Sequence, residues 1–190
     1  MKIVLIAGGT ASGKSTLCRT LAARPDVLLI EHDRYYKSAS PGANFDEPAA
    51  LDTALLIAQL AALRQGEAVD LPIYDFARHA RADGTDRAVA APIVVVEGIL
   101  VLCEPALRAM ADLRVFVDAP ADLRLARRLR RDLIERGRSP ESVLNQYLAT
   151  VRPMHNRWVE PAKAHAHLVL DGEQPPEQLL AQLDAALAGL

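Results

Sequence analysis

Five short runs of almost unbroken apolar residues divide the chain: KIVLIA from Lys2, VLLIE at 27–31, PIVVVE at 92–97, LRVFVD at 113–118 and HLVLD at 167–171. A strand that faces water on one side alternates apolar with polar residues. A run with no alternation reads as a central strand of a parallel sheet, with helices over both faces. Helical spacing fills the intervals. It is seen in Ser15–Ala23, in Pro48–Arg64 with Leu51, Leu55, Ile57, Leu60 and Leu63, and in Ala121–Arg136, Pro140–Val151 and Pro175–Leu187. Strands alternating with helices predict an α/β fold: a five-stranded parallel sheet flanked by helices and joined by right-handed crossovers.

One stretch departs from this rhythm. Residues Val69–Ala91 hold two short extended pieces, LPIYDF and RAVAA, around Ala82-Asp83-Gly84-Thr85. Asp-Gly between such pieces is a hairpin-turn signal. The spacing therefore predicts a β-hairpin inserted between a helix and a buried strand, projecting from the sheet. With no repeat, low-complexity tract or linker, residues 1–190 read as one domain carrying the hairpin at about 69–91.

The first apolar run breaks into GGTASGKST, residues Gly8, Gly9, Thr10, Ala11, Ser12, Gly13, Lys14, Ser15 and Thr16. Its pattern G-x-x-x-x-G-K-[ST] has a physical purpose at each fixed position. The glycines let main-chain N–H groups approach phosphate oxygens, and the helix that follows turns its positive end toward the anion. Lys14 is placed to reach the β- and γ-phosphates, and the Ser15 hydroxyl to ligate Mg²⁺. The strand before it and the helix after it supply the context that this loop requires, so a nucleoside triphosphate site is expected.

Further candidates lie at other strand ends. Glu97 closes PIVVVE, at the carboxyl end of a central strand where open α/β sheets place their ligands; it is a second candidate for holding Mg²⁺. Asp33 follows VLLIE in LLIEHDRYYK and could accept a hydroxyl proton as a γ-phosphoryl leaves. A guanine-nucleotide switch would need D-x-x-G and N-K-x-D after strands, and neither occurs. The segment RLARRLRRDLIERGR crowds Arg124, Arg127, Arg128, Arg130, Arg131, Arg136 and Arg138 into residues 121–139, with 124, 127, 128 and 131 on one helical face. Beside a triphosphate site, such a helix is read as a lid that neutralises charge on the group in transfer.

Composition narrows the partners. Twenty-two Lys and Arg against 24 Asp and Glu give a net charge of −2, and no aromatic residues interleave with the arginines, so neither nucleic acid nor membrane is expected. No window approaches the roughly 18 apolar residues of a membrane span. The N-terminal run is too short for a secretion signal. Cys18 and Cys103 stand alone, which fits a reducing cytoplasm better than a disulfide framework or a zinc site.

In order along the chain stand GGTASGKST, DRYYK, NFDEPAALD, LPIYDFARHAR, VVVEGIL, FVDAPADLRLARRLRRDLIERGRS and SVLNQYLATVRPMHNRWVEPAKAHA. In these motifs, over nearly its whole length, the chain resembles the uridine (uridine-cytidine) kinases of the P-loop kinase superfamily, which includes phosphoribulokinase and bacterial pantothenate kinase. The resemblance implies a P-loop NTPase fold of the nucleoside-kinase kind. It also implies transfer of the γ-phosphoryl of ATP or GTP to the 5′-hydroxyl of uridine, and of cytidine, with Mg²⁺. Asp33 then stands at the aspartate that activates the ribose 5′-hydroxyl, and Tyr36 lines the sugar site. Asp46 grips the ribose hydroxyls, and Tyr74, Phe76 and His79 pack against and read the base. Arg128, Arg138 and Gln146 serve the nucleoside, Arg131 and Arg136 the phosphates. The resemblance further implies a homo-oligomer, either tetramer or dimer. On the same scaffold the sequence leaves open another acceptor (ribulose phosphate, pantothenate or nicotinamide riboside) or a regulatory module that only binds nucleotide. Departures from the family pattern fall at Glu47, at the short links SASPGA and ARPDV, and at His155, Asn156 and Trp158 of RPMHNRWVEP.

Overall fold

A computed structural model describes residues 1–38, 44–76 and 78–190. Five parallel strands form the sheet: β1 (Lys2–Gly8), β2 (Val27–Glu31), β5 (Ile93–Glu97), β6 (Leu113–Asp118) and β7 (Leu168–Asp171). Their order across the sheet is β2-β5-β1-β6-β7. In β1 the side chains alternate between two cores, which is why its apolar run is unbroken. Ile3, Leu5 and Ala7 join Leu56, Leu60, Leu63 and Leu102 on one face; Val4 and Ile6 join Leu17, Leu21, Leu179 and Leu183 on the other. The first face is covered by α2 (Thr53–Arg64) and α3 (Pro105–Met110), the second by α1 (Lys14–Ala22) and α6 (Pro176–Ala188). Fully burying one such aliphatic side chain is worth about 1.5–3 kcal/mol, so the sheet's centre is its most firmly held part.

The inserted hairpin forms a separate two-stranded sheet of β3 (Val69–Asp75) and β4 (Ala80–Ala88). Its turn is not where Asp83-Gly84 predicts. Phe76, Arg78 and His79 are turn residues, His79 with φ 51°, and Asp83-Gly84 lies inside β4. There the register jumps from Pro72↔Thr85 to Tyr74↔Arg81, so three residues of β4 face the single Ile73. Pro72 has no N–H to give the ladder, and Gly84, at φ +89°, absorbs the extra residues as a bulge. The hairpin is clamped to the main body. Arg34 donates to Pro72 O and Asp86, and Arg81 donates to Tyr36 O and to Asp52 Oδ2 at 3.1 Å.

Two helices also differ from their predicted limits. The segment from Pro48 opens as a single 3₁₀ turn, Pro48–Ala50, and α2 begins only at Thr53, where Asp52 caps it by accepting from Leu55 N at 3.2 Å. Leu51 is not helical and bridges Tyr36 instead. Helix α5 starts at Pro140 as predicted but continues past Val151 to His165, through π turns at Tyr147–Val151 and His155–Val159. Each π turn lies just ahead of a proline, Pro153 or Pro161. A widened turn is a local way to tolerate the missing N–H and the ring's clash with the preceding turn. The arginine-rich helix is α4 (Ala121–Glu135). No helix of the described residues is long and apolar enough to cross a membrane.

Candidate active site

The strand ends converge on the phosphate loop. β1 delivers the chain at Gly8 with φ +146°, where a Cβ would lie 2.4 Å from Val117 O and 2.8 Å from Ser12 Oγ, so no other residue fits. The loop turns through Ala11 (φ 59°) and Gly13 (φ +107°) into α1, whose first turn carries no acidic residue to occupy its positive end. Lys14 and Glu97 are both buried, with Lys14 Nζ 3.0 Å from Glu97 Oε1. Ser15 Oγ donates to the same oxygen at 3.0 Å. A hydroxyl and a carboxylate meeting in this way form a hard-oxygen pair of the kind Mg²⁺ takes, and the residues present fit that ion. A cleft of about 520 Å³ opens over them, lined by Lys14, Ser15, Glu97, Arg127, Arg131 and Arg136 and by Gly172 and Gln174 beyond β7.

Asp33 sits half-buried in a 3₁₀ turn, His32–Tyr35, directly after β2. Burial pushes its carboxyl up to about 6; Lys14 and Arg136 pull it down, while Glu97 and Glu31 push it further up. The shift runs in the direction that gives a carboxylate basicity near neutral pH.

On the other side of Asp33 lies a cluster of rings. Tyr36 meets Tyr74 at 5.5 Å between centroids and Phe45 edge-on at 5.3 Å; Phe45 stacks on His79 at 5.1 Å; Tyr74 meets Phe76 edge-on at 5.1 Å. Phe76 is 59% exposed, an unusual position for a phenylalanine unless something covers it. The buried Tyr74 hydroxyl has no hydrogen-bond partner among the described residues. Tyr36 donates to Phe45 O at 2.9 Å, which fixes the start of the segment that carries Asp46. Asp46 accepts from Thr150 Oγ1 at 3.3 Å, and burial raises its pKa against the pull of Arg128 and Thr150.

The arginines of α4 and of the turn after it reach both sides. Arg128 donates to Thr10 Oγ1 of the phosphate loop at 3.1 Å and to Gln146 Oε1 at 2.9 Å; Arg138 donates to the same Gln146 oxygen at 2.6 Å. Arg131 and Arg136 line the cleft over the phosphate loop. The structure thus brings the predicted residues into two adjoining groups. Lys14, Ser15, Glu97, Arg131 and Arg136 surround one cleft, while Tyr36, Asp46, Tyr74, Phe76, His79, Arg128, Arg138 and Gln146 gather beyond it.

Several residues in or beside these groups carry no individual role in the sequence reading. Phe45 belongs to the ring cluster, and its position beside Asp46 was the available signal. Arg127 lines the cleft over the phosphate loop and donates to Gly172 O at 2.9 Å. Arg124 lies beneath Gly9, buried against His155, whose Nε2 is 3.1 Å from Arg124 Nη2 and 3.3 Å from Glu160. Burial and Arg124 lower the His155 pKa, with Glu160 opposing. The link SASPGA lies outside the described residues except for Ser38. The ARPDV link is tied to α6 by a two-pronged pair of Arg24 with Asp184, at 2.7 and 2.8 Å.

Strand order, phosphate loop, strand-end acid and an arginine-rich helix beside them are those of a P-loop kinase. The chain belongs to the phosphoribulokinase / uridine kinase family, whose profile matches residues 28–177. It is 47% identical to a uridine kinase of Chloroflexus aurantiacus, over 97% of this chain and 95% of that one. It is 43% identical to a uridine kinase of Lactococcus lactis, over 88% and 86%. A solved structure described as a "possible uridine kinase" from Bacillus stearothermophilus shares the fold, with a TM-score of 0.56, 19% identity and 90% and 88% of the two chains covered.

Proposed function

We propose that this protein is a uridine kinase, transferring the γ-phosphoryl of ATP or GTP to the 5′-hydroxyl of uridine and of cytidine. The observation that carries this reading is the juxtaposition of two unlike half-sites. One is the cationic triphosphate cleft. The other is the ring cluster of Tyr36, Phe45, Tyr74, Phe76 and His79, with Asp46 and Gln146 beside it. A flat heteroaromatic base suits a cluster of rings with an exposed Phe76 at its edge, and a ribose diol suits a carboxylate that accepts two hydrogen bonds. Ribulose phosphate and pantothenate carry no aromatic ring and leave that cluster without a use.

Each residue then has a definite task. Main-chain N–H groups of residues 9–16 cradle the phosphates, and Lys14 exchanges Glu97 for phosphate oxygens. Ser15 and Glu97 would hold Mg²⁺, which would supply neutralisation of the triphosphate's charge. Tyr74, Phe76, His79 and Phe45 orient the base, and Asp46 the sugar. Asp33 accepts the proton of the 5′-hydroxyl, and its raised pKa favours that transfer near neutral pH. Arg131 and Arg136 stabilise charge spreading over the transferred group, with Arg128 and Arg138 holding the nucleoside side, and their closure excludes water. The protein acts on small molecules, and no covalent enzyme intermediate is needed.

An acceptor panel tests this. Uridine and cytidine are expected to drive ADP release from ATP and Mg²⁺, while ribulose 5-phosphate, pantothenate and nicotinamide riboside leave it near background. Preference for one of the latter over both pyrimidine nucleosides would overturn the assignment.

A further inference from the structure

The arginine lid contains one acid whose surroundings set it apart. Asp132 is fully buried, at 0% exposure, inside a helix that is otherwise cationic on that face. Four arginines approach its carboxylate, and they divide between its oxygens. At Oδ1 lie Arg131, with Nη2 at 2.8 Å and Nε at 2.9 Å, and Arg136 Nη1 at 3.6 Å. At Oδ2 lie Arg128 Nε and Arg138 Nη1, each at 3.6 Å. The division follows the site: the Oδ1 pair lines the triphosphate cleft, whereas the Oδ2 pair converges on Gln146 beside Asp46.

Four guanidinium groups this close repel one another, and a single buried carboxylate is their shared counter-charge. Leaving them without it would be costly. Arg128 registers the balance, since burial, Arg131 and Arg138 lower its pKa while Asp132 and Asp46 raise it. The main chain adds a second tie, from Arg138 N to Asp132 O at 3.1 Å, which fixes the turn after α4 relative to the carboxylate. Neither Asp132 oxygen faces the cleft as a ligand for substrate; its reach to both half-sites runs through the arginines.

We infer that Asp132 is a positioning residue that couples the donor and acceptor halves of the site, one carboxylate oxygen serving each pair of arginines. This rests on the uridine kinase reading above. When a triphosphate draws Arg131 and Arg136 toward its own charge, Oδ1 loses partners. The carboxylate's charge is then left to Arg128 and Arg138, which it holds more firmly against the nucleoside side. Triphosphate and nucleoside therefore bind with positive coupling, and by linkage each strengthens the other equally.

The test is uridine binding by calorimetry, with and without a non-hydrolysable ATP analogue and Mg²⁺, in wild type and Asp132→Asn. In wild type the analogue is expected to tighten uridine binding by about 5-fold or more, within the usual range of such couplings. In Asp132→Asn, which keeps the side-chain shape and removes the charge, the ratio is expected near 1. The same variant is expected to lose kcat by about 10-fold or more, because the arginines no longer meet the transferred group in register. A purely structural role would lower the melting temperature and leave the binding ratio intact, and that ratio unchanged from wild type would overturn the proposal. Arg136→Gln gives an independent arm if Asp132→Asn does not fold. Arg136 lines the donor cleft and also acts on Asp33, so this arm is run on an Asp33→Asn background; there a change of about 2-fold or more in uridine affinity without any nucleotide supports transmission through Asp132, and no change contradicts it. A wild-type protein that neither binds nor phosphorylates uridine fails the kinase reading beneath the proposal. A wild type that does both, with Asp132→Asn indistinguishable from it, fails the proposal alone.

Discussion

Ser15 Oγ and Lys14 Nζ meet Glu97 Oε1 at the end of a strand buried on both faces, whereas Phe45 meets His79 between a loop and a hairpin turn. The donor half is thus made largely of main chain and strand ends, seated on the sheet between its two cores. The acceptor half is made of side chains from the turn after β2, the Asn44–Glu47 loop, the hairpin, α4 and α5. Geometry stored in a main-chain loop survives most changes around it. Geometry assembled from five segments depends on every clamp that holds them, including Arg34 and Arg81 on the hairpin. Changes in the donor half are therefore expected to abolish turnover, and changes in the acceptor half to shift the apparent affinity for nucleoside.

The largest effect is expected at Lys14. Lys14→Ala removes the charge that follows the migrating phosphoryl, and kcat is expected to fall about 10³-fold with folding retained; steady-state kinetics beside circular dichroism would show it. Asp33→Asn keeps ATP binding and loses about 10²-fold or more in transfer, measured by single-turnover product formation. Full activity in that variant would remove Asp33 as the base. The pH dependence is a sharper version of the same test. The Asp33 carboxyl, raised to about 6, accepts a proton only when ionised, so kcat/KM is expected to be level above that pH and to fall about tenfold per unit below it. The break should vanish in Asp33→Asn. Smaller effects belong to the rings: Tyr74→Ala and His79→Ala are expected to raise the uridine KM by about 10-fold with little change in the ATP KM. An unmoved uridine KM in both would take the hairpin out of the acceptor half. Smallest is Arg24→Ala, far from both halves. It should cost no more than about 1 kcal/mol in chemical denaturation, since Arg24 and Asp184 form a partly exposed pair, and should leave kinetics untouched.

The same contrast explains what the sequence disclosed. The five strands and the phosphate loop were legible because burial on both faces and the glycine constraint are local demands, satisfied within a few consecutive residues. The resemblance carried the acceptor residues, but the shape of their hairpin was not legible. Asp83-Gly84 can make a turn or a bulge, and Pro72 across the ladder together with the clamps from Arg34 and Arg81 goes with the bulge. The continuation of helix α5 beyond Val151 is not legible, since Pro153 and Pro161 are local helix breakers and the helix runs on through the π turns ahead of them. The place of Asp132 is illegible in the sequence for a related reason. In text it is one acid among many arginines, four residues beyond Arg128, and its meaning appears only when the chain beyond α4 brings Arg136 and Arg138 back to it.

The central claim is that the two halves form one phosphoryl-transfer site with a pyrimidine nucleoside as acceptor. Phosphorus NMR of the products from ATP, Mg²⁺ and uridine tests it most directly. The account predicts ADP and a single nucleoside monophosphate signal, that of uridine 5′-monophosphate, in equal amounts. ADP with inorganic phosphate and no nucleoside monophosphate, or a phosphate ester on any other position of the sugar, would contradict it.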